Sequence, residues 1–130
     1  MALIDMSVSG DTEVVALRAN NAAEMELLVA DFLANTNASG VYDIQLVGTG
    51  ASPNFACLLT VGNAEGAGSP VVDPSNAIAK FFGGLDTVDP IALVADMQTD
   101  IGINAGVLYK TQLAGGGVGP HWMACSLYEE

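Results

Sequence analysis

The sequence predicts an α+β fold: a compact domain of two similar helix-strand-strand (αββ) halves, mostly antiparallel sheet covered by helices. Three observations predict it. Residues Gln45–Phe55 (QLVGTGASPNF) match Gln112–Trp122 (QLAGGGVGPHW) without a gap, sharing Gln, Leu, two Gly and Pro before a terminal aromatic. Helical periodicity is followed by two alternating segments, and this order recurs. The 130 residues are 51% apolar, enough for one packed domain over 1–130 and too apolar for a disordered chain. Neither half stands alone, because units of ~60 residues bury too little surface.

Ile4, Met6 and Val8 alternate with Asp5 and Ser7, a half-buried strand pattern, and Ser9-Gly10-Asp11 reads as a turn. Glu13–Ala19 is a second strand. Asn21 with Glu24 three residues on resembles a capping box. Met25, Leu28, Val29, Phe32 and Leu33 then mark one face of a helix that starts at Ala22 and ends by Asn35–Gly40. Val41–Val47 alternates, Gly48–Asn54 is a loop, and Phe55–Val61 is apolar on both sides. That last pattern predicts a central strand or one covered twice. The two strands form a hairpin.

Asn63–Pro70, rich in Gly and Ala, reads as a linker. Asp73-Pro74 and Asp89-Pro90 each place a capping carboxylate before a proline that suits the first helical position. They predict helices over Ser75–Phe82, stopping at Gly83-Gly84, and over Ile91–Asp100, stopping near Gly102. Val107–Leu113 and His121–Tyr128 are the last two strands, joined by the glycine-dominated loop Ala114–Pro120.

The repeat is expected to run over 20–62 and 74–130. Outside the hairpins, Val29-Ala30-Asp31 matches Val94-Ala95-Asp96, and Ala56-Cys57 matches Ala124-Cys125 if one residue is inserted after Trp122. Such a duplication predicts pseudo-two-fold symmetry.

Charge excludes several classes of function. Only 14% of residues are charged, against a usual ~25%. Fifteen are acidic and three basic (Arg18, Lys80 and Lys110), for a net charge of −12. Nucleic-acid binding and docking on anionic membranes both need the opposite sign. No apolar run approaches the ~18 residues of a membrane span. Met1-Ala2-Leu3-Ile4-Asp5 lacks the basic flank of a signal peptide. The expected location is the cytoplasm or an assembled particle.

None of the polar groupings forms a catalytic or metal-binding pattern. Cys57 and Cys125 make no disulfide framework and read as buried thiols. With His121 they supply no zinc pattern, so no metal site is expected. A hydrolytic triad needs a base beside its nucleophile. His121 and Cys125 share a strand face but lie about 13 Å apart along it. Asp96 and Asp100 are helix neighbours without the dense spacing of a calcium loop, and read as a solvated acidic face. Gly48-Thr49-Gly50 and Gly115–Gly119 precede strands rather than helices, so they are hairpin connections and not phosphate cradles. No cofactor is implied.

Two functions compete. The first is a non-enzymatic self-associating structural or assembly protein, a homo-oligomer whose contacts are apolar because the chain has few cations to form ion pairs. The second is a small-molecule binder or cofactor-free enzyme with a pocket between sheet and helices. Its candidate ligand-binding residues are Arg18, Tyr109, His121 and Trp122. Lacking a catalytic constellation, the sequence favours the first. Trp122, the sole tryptophan, is expected to be buried.

Overall fold

A computed structural model describes residues 3–9, 12–38, 40–49, 53–62, 72–103, 106–115 and 121–129. The expected turn at Gly10-Asp11, the linker Asn63–Pro70 and most of the loop before His121 lie outside the described residues. The elements are β1 (Leu3–Ser9), β2 (Thr12–Ala19), α1 (Ala22–Asn35), β3 (Gly40–Gly48), β4 (Phe55–Gly62), β5 (Ala77–Gly84), α2 (Pro90–Ile103), β6 (Val107–Gly115) and β7 (Trp122–Glu129). The class is α+β. The strands form two antiparallel sheets, one of four strands in the order β1-β2-β4-β3 and one of three in the order β5-β7-β6.

Local chemistry explains the helix starts. Asn21 caps α1: its Oδ1 accepts the Glu24 N–H at 2.9 Å. Asp89 caps α2 in the same way, accepting from the Ile91 and Ala92 N–H groups at 3.0 and 3.2 Å, with Pro90 at the first helical position.

Asp73-Pro74 starts a turn instead, and the helix expected over Ser75–Phe82 is strand β5. Asp73 Oδ1 accepts the Ser75 N–H at 2.9 Å, and the Asn76 N–H returns to the Asp73 carbonyl at 2.9 Å. Asp before Pro fits the first two positions of a β-turn as well as it fits a helix start. The residues downstream of each Asp-Pro pair decide between the two. Leu93, Met97 and Ile101 recur with helical spacing after Asp89, whereas Ala77–Phe82 alternates between two faces.

Each helix is thus preceded by a strand of its own sheet, so the unit is strand-helix-strand-strand rather than helix-strand-strand. β2-α1-β3-β4 and β5-α2-β6-β7 have the same lengths: 8, 14, 9 and 8 residues. The three strands of each unit also share one spatial order. Both hairpins carry a bulge at a tyrosine, Tyr42 against β4 and Tyr109 against β7. Gly48 pairs with Phe55 as Gly115 pairs with Trp122.

This register corrects two of the sequence matches. Cys57 stands where Ala124 stands, with no insertion, because they pair with Leu46 and Leu113 respectively. Val29 does not correspond to Val94. Val29 is buried with Met25 and Leu33, while Val94 is exposed and Leu93 and Met97 face inward.

The two sheets face each other across the main core. Val15, Leu17 and Ala19 of β2, Ile44 and Leu46 of β3, and Phe55, Cys57, Leu59 and Val61 of β4 form the inner face of the four-stranded sheet. Opposite them stand Phe81, Ala114, Met123, Cys125 and Leu127. Burying a side chain such as Phe55 contributes about 1.5–3 kcal/mol. Helix α1 closes the side of this core, packed between β5 and β2. Its Glu26 Oε1 accepts the Phe81 N–H at 2.7 Å, occupying one donor on the open edge of β5. Helix α2 lies on the outer face of the three-stranded sheet, where Leu93 and Met97 meet Ala124, Phe82 and Trp122.

β4 is a central strand, as expected, paired with β2 on one side and β3 on the other, and double coverage falls elsewhere. β7, rather than β4, is buried on both faces, from Met123 to Tyr128. On β4 Phe55, Cys57, Leu59, Val61 and the terminal Gly62 are buried, and Ala56, Leu58 and Thr60 are half-buried.

The expected pseudo-two-fold relation does not describe how the halves meet. A two-fold contact buries the same patch of each half. By hairpin register, the enclosed face of β4 (Phe55, Cys57, Leu59) matches the face of β7 that looks at α2 (Trp122, Ala124, Ser126). The β7 face that enters the main core (Met123, Cys125, Leu127) matches the outer face of β4.

Candidate functional site

Each candidate residue except Tyr109 is held by an identifiable local contact. Arg18 lies on the outer face of the four-stranded sheet. Its Nη2 donates to the Pro53 carbonyl at 3.0 Å and approaches Thr49 Oγ1 at 3.5 Å. Thr49 Oγ1 itself donates to the Pro53 carbonyl at 2.7 Å, and the Thr49 N–H donates to the Asn54 carbonyl at 2.8 Å. Arg18 thereby clasps the β3–β4 connection, using backbone and hydroxyl oxygens as its acceptors there.

His121 accepts the Asp86 N–H at its Nδ1, at 3.1 Å. Asp86 has φ 65°, a left-handed conformation that Asp tolerates better than most residues. This contact pins the connection between β5 and α2 from the start of β7. Trp122 is half-buried rather than enclosed: it starts β7, its ring passes over Gly115, and α2 covers one side. Tyr109 is the β6 bulge residue and is exposed.

The four do not form one cluster. Tyr109 is at the far end of the β6–β7 hairpin from Trp122, about 20 Å along the strands. Arg18 and Trp122 lie on opposite outer surfaces of the sheet pair. Two grooves run along α1. One, of about 480 Å³, is bordered by Glu24, Leu27, Leu28 and Asp31. Another, of about 470 Å³, lies between Ala23, Glu26, Leu27 and Ala30 of α1 and Ile78–Lys80 of β5. Neither is lined by any of the four candidates.

The buried thiols are inert. Burial, and then the nearness of Cys125, pushes the Cys57 thiol well up, and burial pushes Cys125 up to about 12. Both stay protonated near neutral pH, so neither is a ready nucleophile. Both are free and buried.

Sequence reasoning missed two polar features. Lys110 Nζ meets Asp43 Oδ1 at 2.6 Å and ties the edge strands β6 and β3 together. Burial alone would raise the Asp43 carboxyl, but hydrogen bonds from Lys110 and Gln45, the Lys110 charge and the Ile44 N–H outweigh it and hold it below the usual range. Opposite charges at bulge-adjacent positions of two hairpins were the only signal, and they are far apart in the chain. The second feature is Ser126, fully buried, whose Oγ meets no hydrogen-bond partner among the described residues. A buried hydroxyl without a partner costs about 1–3 kcal/mol. Ser126→Ala is therefore expected to raise stability by about 1 kcal/mol or more, read as a higher midpoint in urea at unchanged slope. A lower midpoint would mean that Ser126 is satisfied in solution.

Among the described residues no group of three or more His, Cys, Asp or Glu side chains is placed to hold a metal. No helix among them is long and apolar enough to cross a membrane. Comparison with protein-family models, with curated proteins and with solved structures gives no significant match.

Proposed function

We propose that this chain is a non-enzymatic, self-associating structural subunit built from two copies of a strand-helix-strand-strand unit. Matching element lengths, strand order and tyrosine bulges support the duplication. The observation that carries self-association is the distribution of exposed apolar side chains. Eleven large ones are exposed among the described residues, and nine lie between Leu85 and Leu113, on α2, its approach and β6. Ile91 is 80% exposed, Ile103 78% and Val107 58%. Scattered apolar side chains are ordinary on a surface, whereas a concentration in one stretch of the chain supports a contact.

The charge balance favours a second copy that meets this surface through apolar contact. Three cations in the whole sequence can form few ion pairs across an interface. The contact is expected to bury more than roughly 1,000 Å², the scale of a specific interface.

Ile91→Glu with Ile103→Glu tests the reading at two helix-surface positions that the fold does not need. Wild-type protein should scatter light as a multiple of its 13.2 kDa chain. The double variant should unfold at a similar temperature yet run as a monomer, its association weakened at least ~100-fold, equivalent to about 2.7 kcal/mol. A variant that keeps the wild-type mass would exclude this surface.

A further inference from the structure

We propose that the open edge of β5 binds an extended peptide segment of another protein, alternating apolar and acidic residues, which adds as a strand in the groove between β5 and α1. This site is separate from the α2–β6 surface, and its test does not depend on self-association. Antiparallel pairing alternates: one residue turns both backbone groups to its partner strand, and the next turns both away. The Phe81 N–H, bonded to Glu26 Oε1 at 2.7 Å, fixes that phase in β5. Ala77, Ala79 and Phe81 turn away from β7, toward the edge where no further strand pairs. The Gly84 end of this edge is already taken. Asn21 bridges to Gly84, the Leu85 N–H donates to the Asn20 carbonyl, and Glu26 holds Phe81. Beyond Phe81, the outward N–H and C=O groups of Ala77 and Ala79 meet no partner among the described residues. Such a row of free donors and acceptors is a template for another strand.

The groove of about 470 Å³ lies along this stretch, a volume within the ~300–1,000 Å³ range of ligand sites. Ala23, Leu27 and Ala30 recur at helical spacing on α1 and form its apolar wall, and all three are exposed. Strand alternation gives an incoming segment two faces. One face lies on that wall and suits apolar side chains. The other lies beside Ile78 and Lys80, and Lys80 has no ion-pair or hydrogen-bond partner among the described residues. Glu26, the other charged residue lining the groove, is held by the Phe81 N–H. Glu129 stands opposite Ala77 on β7, across β5 from the incoming strand, and Glu24 and Asp31 border the neighbouring groove. A lysine on an edge strand deters indiscriminate pairing and favours a strand that sets a carboxylate beside it. Main-chain bonds supply the affinity of such a contact, and the alternating side chains supply its selectivity.

Two short labelled peptides test it, one alternating valine and glutamate and the other alternating valine and lysine. Fluorescence anisotropy at low salt should show the valine-glutamate peptide binding the wild-type chain with a Kd below ~1 mM. The valine-lysine peptide should bind at least ~5-fold more weakly, because it sets like charge beside Lys80. Lys80→Glu should exchange the two preferences, an outcome that loss of packing alone would not give. Hydrogen exchange read by mass spectrometry reports the pairing itself. The segment Ala77–Phe81 should be protected when the valine-glutamate peptide is added, because the outward amides of Ala77 and Ala79 gain acceptors. Protection at α2 or β6 instead, or none at β5, would overturn strand addition at this edge. Equal binding of the two peptides, or preferences unchanged by Lys80→Glu, would overturn the acidic partner. Absence of binding by the valine-glutamate peptide at ~2 mM would remove the proposal.

Discussion

Phe55→Ala should destabilise the domain by about 3–5 kcal/mol, enough to unfold a protein of ordinary stability near body temperature. Phe55 is the largest fully enclosed side chain among the described residues, with 0% exposure. It opens β4 at the point where that strand pairs with Ala19 of β2 and Gly48 of β3, so both neighbours lose packing when it is truncated. The cavity would lie between two sheets and a helix, where collapse is restricted. Urea denaturation followed by circular dichroism would measure it. A loss below about 1 kcal/mol would mean that the site relaxes around the smaller side chain. Trp122→Ala should cost less than Phe55→Ala, because Trp122 is half-exposed although it holds the corresponding hairpin position.

Gly84→Ala should cost about 2–4 kcal/mol, combining backbone strain with overpacking. Gly84 has φ 133°, a conformation that side chains rarely adopt. An added Cβ would come within 2.7 Å of the Asn20 carbonyl oxygen and 2.8 Å of Asn21 Cα, both backbone atoms that cannot swing aside. This is where the first half touches the second: Asn21 and Gly84 form an isolated bridge, and the Leu85 N–H donates to the Asn20 carbonyl at 3.0 Å. Asn21 is also the cap of α1. Besides lowering the urea midpoint, the substitution should speed hydrogen exchange at the Glu24 amide, which Asn21 holds. Unchanged exchange there, with full stability, would show that the two backbones are not in contact.

The element pattern was largely legible in the sequence because it depends on neighbours in the chain. Helix α1 could be read from Asn21 and the spacing of Met25, Val29 and Leu33, and both hairpins from alternation and glycine loops. β5 was not, because Asp73-Pro74 serves a turn and a helix start equally and its outcome is set by where Ala77–Phe82 finds β7. Nor could the sequence say that β7 would be the doubly covered strand. Phe55–Val61 and Trp122–Tyr128 are both apolar, and which of them receives a helix depends on how the halves stack. The Gln45 and Gln112 match located the hairpins and left the facing of the halves open, since register fixes alternation but not which side is inward. The candidate residues stand out in the sequence by type and not by position in the fold. Arg18 and His121 turned out to hold chain connections, a role that depends on Pro53 and Asp86, both distant in sequence. The Asp43–Lys110 pair was invisible for the same reason.

The mass of the wild-type chain in solution tests self-association most directly. Light scattering on a size-exclusion column at tens of micromolar, in low and in high salt, should give a multiple of 13.2 kDa in both. The high-salt sample should hold together at least as well, because screening weakens repulsion between acidic copies while leaving apolar contact intact. A single species of 13.2 kDa at every concentration and in both salts would contradict the account.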